Sequence, residues 1–252
     1  MGKYPRIFSR LYLSGFDPLK LREKTLAIFG VGGIGSLLAD MAVRVGIGTI
    51  IMVDKDTVEE ENLNRMGFDI DDLGKPKVEA MADKLSKFKY VRGENFPIKI
   101  EKYYVNIFDF PELEKIVRRA DCILVAFDDL EARLEVNALA LKYRKVLIDG
   151  GTSTNGLRGR VTVVKPYETA CLGCLYSPEM LIAEGNYEEY TCNVSLPTTM
   201  GLVACIQMDQ CLRYLLGLSG IYSMIMLSLE DGIEITKIPN IKRREGCMYC
   251  SR

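Results

Sequence analysis

The chain has 252 residues, 48% of them hydrophobic and 27% charged, with a formal net charge of −1 and no histidine. Near-neutral charge without a basic block argues against a nucleic-acid partner, and the missing histidine removes Ser-His-Asp and Cys-His hydrolase chemistry. No apolar run approaches the ~20 residues of a membrane span and MGKYPRIFSR lacks the apolar core of a signal peptide, so the reading is a cytoplasmic protein with no membrane partner.

TLAIFG (25–30) is a short β-rich apolar run closed by glycine and reads as a strand. Residues 33–46 carry apolar side chains at helical spacing, with Gly46 as the stop. TIIMVD (49–54) reads as a second buried strand, followed by a helix over 72–87 and a strand over 99–107. A short helix is predicted over 111–119, a core strand over 122–127, a helix over 130–143 and a strand over 145–150. This alternation implies an α/β fold, a Rossmann-like and mostly parallel sheet with helices on both faces. After Gly150 the pattern changes, and GLRGRVTVV (156–164) reads as an antiparallel strand. Residues 171–195 are polar, acidic and weakly periodic, a length of loop that is usually functional or disordered. A long helix over 196–216 has Pro197 suited to its first turn, and two more strands are predicted over 223–229 and 232–238. With no repeat, linker or low-complexity tract, the reading is one domain over 1–252, made of a first half, 1–150, and an elaborated second half, 151–252.

GVGGIG (30–35) satisfies G-x-G-x-x-G between a strand and a helix. Gly30 allows the tight turn, Gly32 lets backbone approach phosphate, Gly35 lets helix pack on strand, and the helix start offers free N–H groups to an anion. Asp54 ends the next strand, where a carboxylate can hold a ribose hydroxyl. No Tyr-x-x-x-Lys follows to support hydride transfer. Asn62, Asn64, Arg65, Lys75 and Lys77 follow instead, and two amides with three cations suit a triphosphate better than a nicotinamide. Asp128, at the end of the third core strand, suits Mg²⁺, although a strand-end carboxylate also serves as a cap.

Eight cysteines sort into groups. Cys171-x-x-Cys174 and Cys247-x-x-Cys250 make two knuckles, the pattern of a closed structural Zn²⁺ site. Two disulfides are the alternative, unsupported by any secretory signal. Cys122, Cys205 and Cys211 fall in apolar elements and are assigned to packing. Cys192, in EEYTCNVS just before a helix start, has polar neighbours and the setting of a lowered thiol pKa, but no evident base. Its residues alone leave packing and nucleophilic roles both open.

GVGGIGS, the run from Asp54 to Arg65, GKPKVEA and the FDD ending at Asp129 together resemble the adenylation domain of ubiquitin-like-protein-activating enzymes and their bacterial relatives ThiF and MoeB. The likeness runs from about Tyr4 to Cys250, and FSRL, LEARLEVN and SLPTTMG most resemble the homodimeric branch that activates the ubiquitin-fold modifier. It implies ATP- and Mg²⁺-dependent adenylation of the C-terminal glycine of a ubiquitin-like protein. It implies that Gly30, Gly32, Gly33, Gly35, Asp54 and Asp56 form the nucleotide site, that Asn62, Arg65 and Lys77 contact phosphate, and that Asp128 binds Mg²⁺. It also implies zinc on the four knuckle cysteines and thioester formation at Cys192, on a loop over about 175–196. Arg10 matches an arginine that acts across the dimer, with Arg6 close enough to compete for the assignment. A conjugating enzyme is a further partner that the resemblance allows. A sulfur-carrier adenylyltransferase of the ThiF or MoeB type, without an obligate thioester, is the alternative. An enzyme that cyclises a modified tRNA base is disfavoured by the charge and the four cysteines, and a non-catalytic nucleotide-binding scaffold is the third possibility.

Overall fold

The computed structural model describes residues 5–13, 16–65, 67–94, 96–176 and 196–251. One eight-stranded sheet runs through both halves, in the order β3-β2-β1-β4-β5-β6-β7-β8. The strands β1 (Thr25–Phe29), β2 (Thr49–Asp54), β3 (Lys99–Tyr104), β4 (Cys122–Val125) and β5 (Leu147–Thr152) pair in parallel. β6 (Arg158–Val164), β7 (Met224–Ser228) and β8 (Glu234–Ile238) continue it antiparallel.

The central strands are apolar throughout because both faces are covered. Ile28, Met52, Leu124 and Ile148 point into one core, with α3 (Gly33–Val45), α4 (Lys77–Ser86) and α9 (Pro197–Leu216). Phe29, Val53, Val125 and Leu147 point into the other, with α6 (Leu113–Arg119), α7 (Leu130–Lys142) and α8 (Leu172–Tyr176). Gln207 of α9 ties the sheet from above, donating Nε2 to the carbonyls of Val125 at 3.0 Å and Ile148 at 2.7 Å. Register aligns Phe29 with both Val53 and Val125, so the carboxyl ends of β1, β2 and β4 share an edge. The chain leaves β1 toward β2 on one side, while β4 lies on the other, and this reversal opens a crevice outside the strand ends.

Several boundaries differ from the sequence expectation. The helix expected from 72 begins at Lys77, because Asp72 closes a 3₁₀ turn by accepting the Asp69 N–H at 3.0 Å. The strands expected to reach 107 and 127 stop at Tyr104 and Val125. Each leaves the sheet with one last bond, Val105 N–H to Asp54 and Ala126 N–H to Phe29, and turns toward the crevice. The packing role expected for Cys205 is corrected: its side chain is exposed on α9, while Cys122 and Cys211 are buried.

Arg92, in α5 (Lys89–Arg92), is fully buried. It donates to the carbonyls of Phe96 at 3.1 Å, Ile47 at 2.9 Å, Gly46 at 3.2 Å and Pro97 at 3.3 Å, and it lies 5.6 Å from the Phe8 ring. It thus closes the C-terminus of α3, where a cation complements the helix dipole. No helix among the described residues is long and apolar enough to cross a membrane.

Candidate active site

The glycine loop sits at the sheet reversal. Gly30 has φ +89°, and a Cβ there would lie 2.7 Å from the Ala126 carbonyl carbon. At Gly35 a Cβ would lie 1.8 Å from the Gly30 carbonyl oxygen, so the tight contact is between loop and helix start. Gly32 precedes α3, and nothing lies within 4 Å of where its Cβ would be. Backbone there borders open space. Asp54 is 5% exposed and accepts the N–H groups of Val31 at 2.5 Å and Asp56 at 2.8 Å. Burial pushes its carboxyl pKa up, and those two donors partly offset the shift.

A cleft of about 300 Å³ opens over this loop. Asn62, Arg65 and Lys77 form one wall and Asp128 the other, so the structure gathers these sequence-predicted residues with Gly30, Gly32, Gly33, Asp54 and Asp56. Gly35 lies behind the cleft lining. Lys77 Nζ is 3.0 Å from Asp56 Oδ2. Asn62 accepts the Glu59 N–H on Oδ1 at 3.1 Å in a capping box. Arg65 crosses the start of α3, with its Cδ 2.9 Å from where a Gly33 Cβ would be. Its Nε is buried without a hydrogen-bond partner, a donor that an anion in the cleft would satisfy. Asp128 is exposed, and the cap role belongs to its neighbour: Asp129 Oδ1 accepts the Ala132 N–H at 2.8 Å. Asn64 and Lys75 are not among the cleft-lining residues, and Lys75 pairs with Asp72 at 3.8 Å.

On the far side of the sheet the four knuckle cysteines meet. Sγ–Sγ separations are 3.8 Å for Cys171–Cys174, 3.8 Å for Cys171–Cys247 and 3.4 Å for Cys174–Cys250, and all four thiols are buried. A tetrahedron of thiolates about 2.3 Å from a metal has edges close to those values. The Arg244 N–H points at Cys174 Sγ from 3.3 Å, which orients the sulfur. Burial pushes the Cys171 thiol up and Cys250 to about 11. At Cys247 burial is outweighed by hydrogen bonds from the Tyr249 and Cys250 backbone and the neighbouring thiols, which bring it down to about 7. Cys171 and Cys250 would give up their protons on binding a cation.

The ThiF family pattern matches residues 11–247. The chain belongs to the ThiF family. Among its relatives, ubiquitin-like modifier-activating enzyme 5 of Drosophila willistoni is 36% identical over 217 residues, covering 79% of this chain and 51% of that protein. The Branchiostoma floridae protein of the same name is 35% identical over 213 residues, covering 78% and 51%. The chain thus spans about half the length of the curated relatives it matches. Among solved structures, Escherichia coli MccB with AMPCPP and MccA superposes with a TM-score of 0.78 at 23% identity, over 98% of this chain and 74% of that one. MccB with ATP gives 0.77 at 23%, over 99% and 76%. The α/β fold with a mixed eight-stranded sheet is therefore the ThiF fold.

Two sequence-predicted arginines of this ThiF-family chain are not among the residues that line the cleft. Arg10 is exposed on α1 (Ser9–Leu13) and is not among the lining residues, nor is Arg6. Cys192 lies outside the described residues. Sequence reasoning missed the rim at residues 105–108, and it missed Arg133, Gly151 and Thr152, all of which line the cleft. Arg133 carried a usable signal. It lies four residues after the cap Asp129, one turn inside α7, on the side that faces the strand ends.

Proposed function

We propose that this chain activates a ubiquitin-like protein, joining its C-terminal glycine to AMP and then taking the tail onto Cys192 as a thioester. One observation carries the reading: the glycine loop, Asp54, Lys77, Asp128 and the unpartnered Arg65 Nε converge on a single cleft. In the first step a tail carboxylate oxygen attacks the α-phosphorus of ATP, the bond to pyrophosphate breaks, and an acyl-adenylate remains. The enzyme's part is alignment and charge cancellation. Asp54 holds the loop with its amide contacts and offers its free lone pairs to the ribose. Arg65, Lys77 and Asn62 hold phosphate oxygens. Asp128 would hold Mg²⁺, which would screen the triphosphate charge. In the second step the Cys192 thiolate attacks the acyl carbon, AMP leaves, and the thiol proton has already passed to solvent. Cys192 is five residues before Pro197, a tether of at most about 18 Å when extended, and the helix that Pro197 begins carries Met200 on the cleft wall.

On this reading the chain is one adenylation domain, with zinc on Cys171, Cys174, Cys247 and Cys250 as a structural tie. A reducing cytoplasm suits those thiols. Arg10, which does not line its own cleft, acts on a second copy in a homodimer. A conjugating enzyme would take the thioester onward. The second reading, a sulfur-carrier adenylyltransferase, is favoured by the name of the matched family and needs no thioester at Cys192.

The test is incubation with ATP and candidate ubiquitin-like proteins. Expected are modifier-dependent ATP–pyrophosphate exchange and a thiol-sensitive band shift. Cys192→Ala should abolish the shift and retain the exchange. Exchange with an adduct that survives Cys192→Ala supports the sulfur-carrier reading, and no exchange with any candidate defeats both. A further expectation concerns Gly32→Ala. Its methyl meets no protein atom, so the thermal midpoint should move by no more than about 2 °C, a ΔΔG well under 1 kcal/mol. It enters the phosphate space, so ATP affinity by calorimetry should fall about tenfold or more. Unchanged affinity would move the phosphates away from this loop.

A further inference from the structure

A second cleft, of about 250 Å³, opens beside the first over the parallel-to-antiparallel junction of β5 and β6. The two share Asp128, Arg133, Gly151 and Thr152. Beneath that shared floor lies Asp149 of β5, fully buried. Its Oδ1 accepts from Arg133 Nη1 at 2.6 Å, and its Oδ2 lies 3.5 Å from Arg160 Nη2. Arg160 in turn lies 4.0 Å over the Tyr176 ring, which fixes its plane.

A carboxylate taken out of water is costly and persists where its partners hold it well. Here it holds a guanidinium that is itself only 11% exposed. Asp149 is the one hydrogen-bond partner of the Arg133 side chain among the described residues. The other edge of the fork remains available at the junction. Arg133 Nη2 lies 3.0 Å from where a Gly151 Cβ would be, so any larger residue at 151 would push it aside. With two guanidiniums around one carboxylate, the local charge is left positive. A fixed, half-satisfied fork in a shielded place suits bidentate capture of a carboxylate.

We propose that Asp149 is a positioning residue that holds Arg133 at the junction of the two clefts, where Arg133 receives the terminal carboxylate of the protein tail. The assignment rests on the adenylation reading above. The tail lies in the second cleft, its carboxylate meets Arg133, and the nucleotide fills the first cleft on the other side. Arg133 thereby orients the nucleophile, while Arg65 and Lys77 hold the electrophile. The attack itself is the step already written, and Arg133 gains and loses no proton in it.

The test is ATP–pyrophosphate exchange by the full chain, with the KM for the ubiquitin-like protein and the KM for ATP measured separately. Arg133→Ala should raise the modifier KM about 10- to 100-fold, the loss of one charged hydrogen-bonded pair, and move the ATP KM by no more than about twofold. Arg133→Lys keeps the charge without the fork and should fall between the two. Asp149→Asn should shift the modifier KM in the same direction by less. If Asp149→Asn does not fold, Gly151→Ala decides, because it displaces Arg133 while leaving Asp149 in place; a severalfold rise in modifier KM is then expected. Equal changes in both KM values, or none in either, would overturn the proposal while wild-type exchange leaves the adenylation reading standing. A folded Asp149→Asn with reduced stability and an unchanged modifier KM would likewise make Asp149 purely structural. Absence of exchange in the wild type overturns both.

Discussion

Cys171→Ser is expected to release zinc and lower the thermal midpoint by roughly 10 °C or more, from a loss of about 5 kcal/mol at about 2–4 °C per kcal/mol. The basis is the four-thiol cluster, with separations of 3.4–3.8 Å and no ligand position left for water. Apparent binding energies of structural zinc reach about 10–16 kcal/mol in small peptides, and a three-thiol site keeps only part of that. The loss should be local first. Cys247 and Cys250 tie the end of the described chain to α8, where the Arg244 side chain donates to the Gly173 carbonyl at 3.2 Å and the Tyr249 ring fills the space a Gly173 Cβ would need. Metal analysis should give one zinc per chain, and calorimetric scans with a strong chelator should reproduce the variant. A midpoint indifferent to both would remove zinc from the account, and a midpoint that falls only with a thiol reductant would point to disulfides.

Arg92→Ala is expected to destabilise the fold by about 3–5 kcal/mol, because it orphans several buried carbonyls and opens a cavity at once. Burial lowers the Arg92 pKa to about 10, so the guanidinium stays charged at neutral pH. Its carbonyl partners come from the end of α3 and from residues 96 and 97. Arg92→Met would restore much of the volume and none of the donors, so it should recover little. Urea unfolding measures both variants. The 13-residue α3 separates this plug from the glycine loop by about 20 Å, so ATP affinity of the folded fraction should not change. A cost below 1 kcal/mol would mean that water replaces the guanidinium.

The order of strands and helices was legible because parallel strands covered on both faces are written as unbroken apolar runs. The same feature hid their ends. Val105, Ile107, Ala126 and Phe127 continue the apolar pattern, yet they line the cleft instead of the sheet. Apolar residues at the edge of a cleft look like residues that serve a core. The glycine loop was legible because G-x-G-x-x-G imposes local steric demands, seen at Gly30 and Gly35. The Arg133–Asp149–Arg160 group was not legible. Its members lie on α7, β5 and β6, and only the sheet register brings them together. Cys205 was misread because α9 is apolar on more than one face, so spacing alone did not identify the exposed one.

The central strand has its own timetable. Leu26 of β1 pairs with Ile50 nearby in sequence but also with Cys122 much further on, and the wall behind Gly30 is Ala126. As the ribosome delivers the chain, the glycine loop emerges early and stands without its backing until β4 arrives. Long-range pairings of this kind form late in folding. On the proposed function, a nascent chain would therefore not grip nucleotide until β4 (Cys122–Val125) has been made and paired with β1.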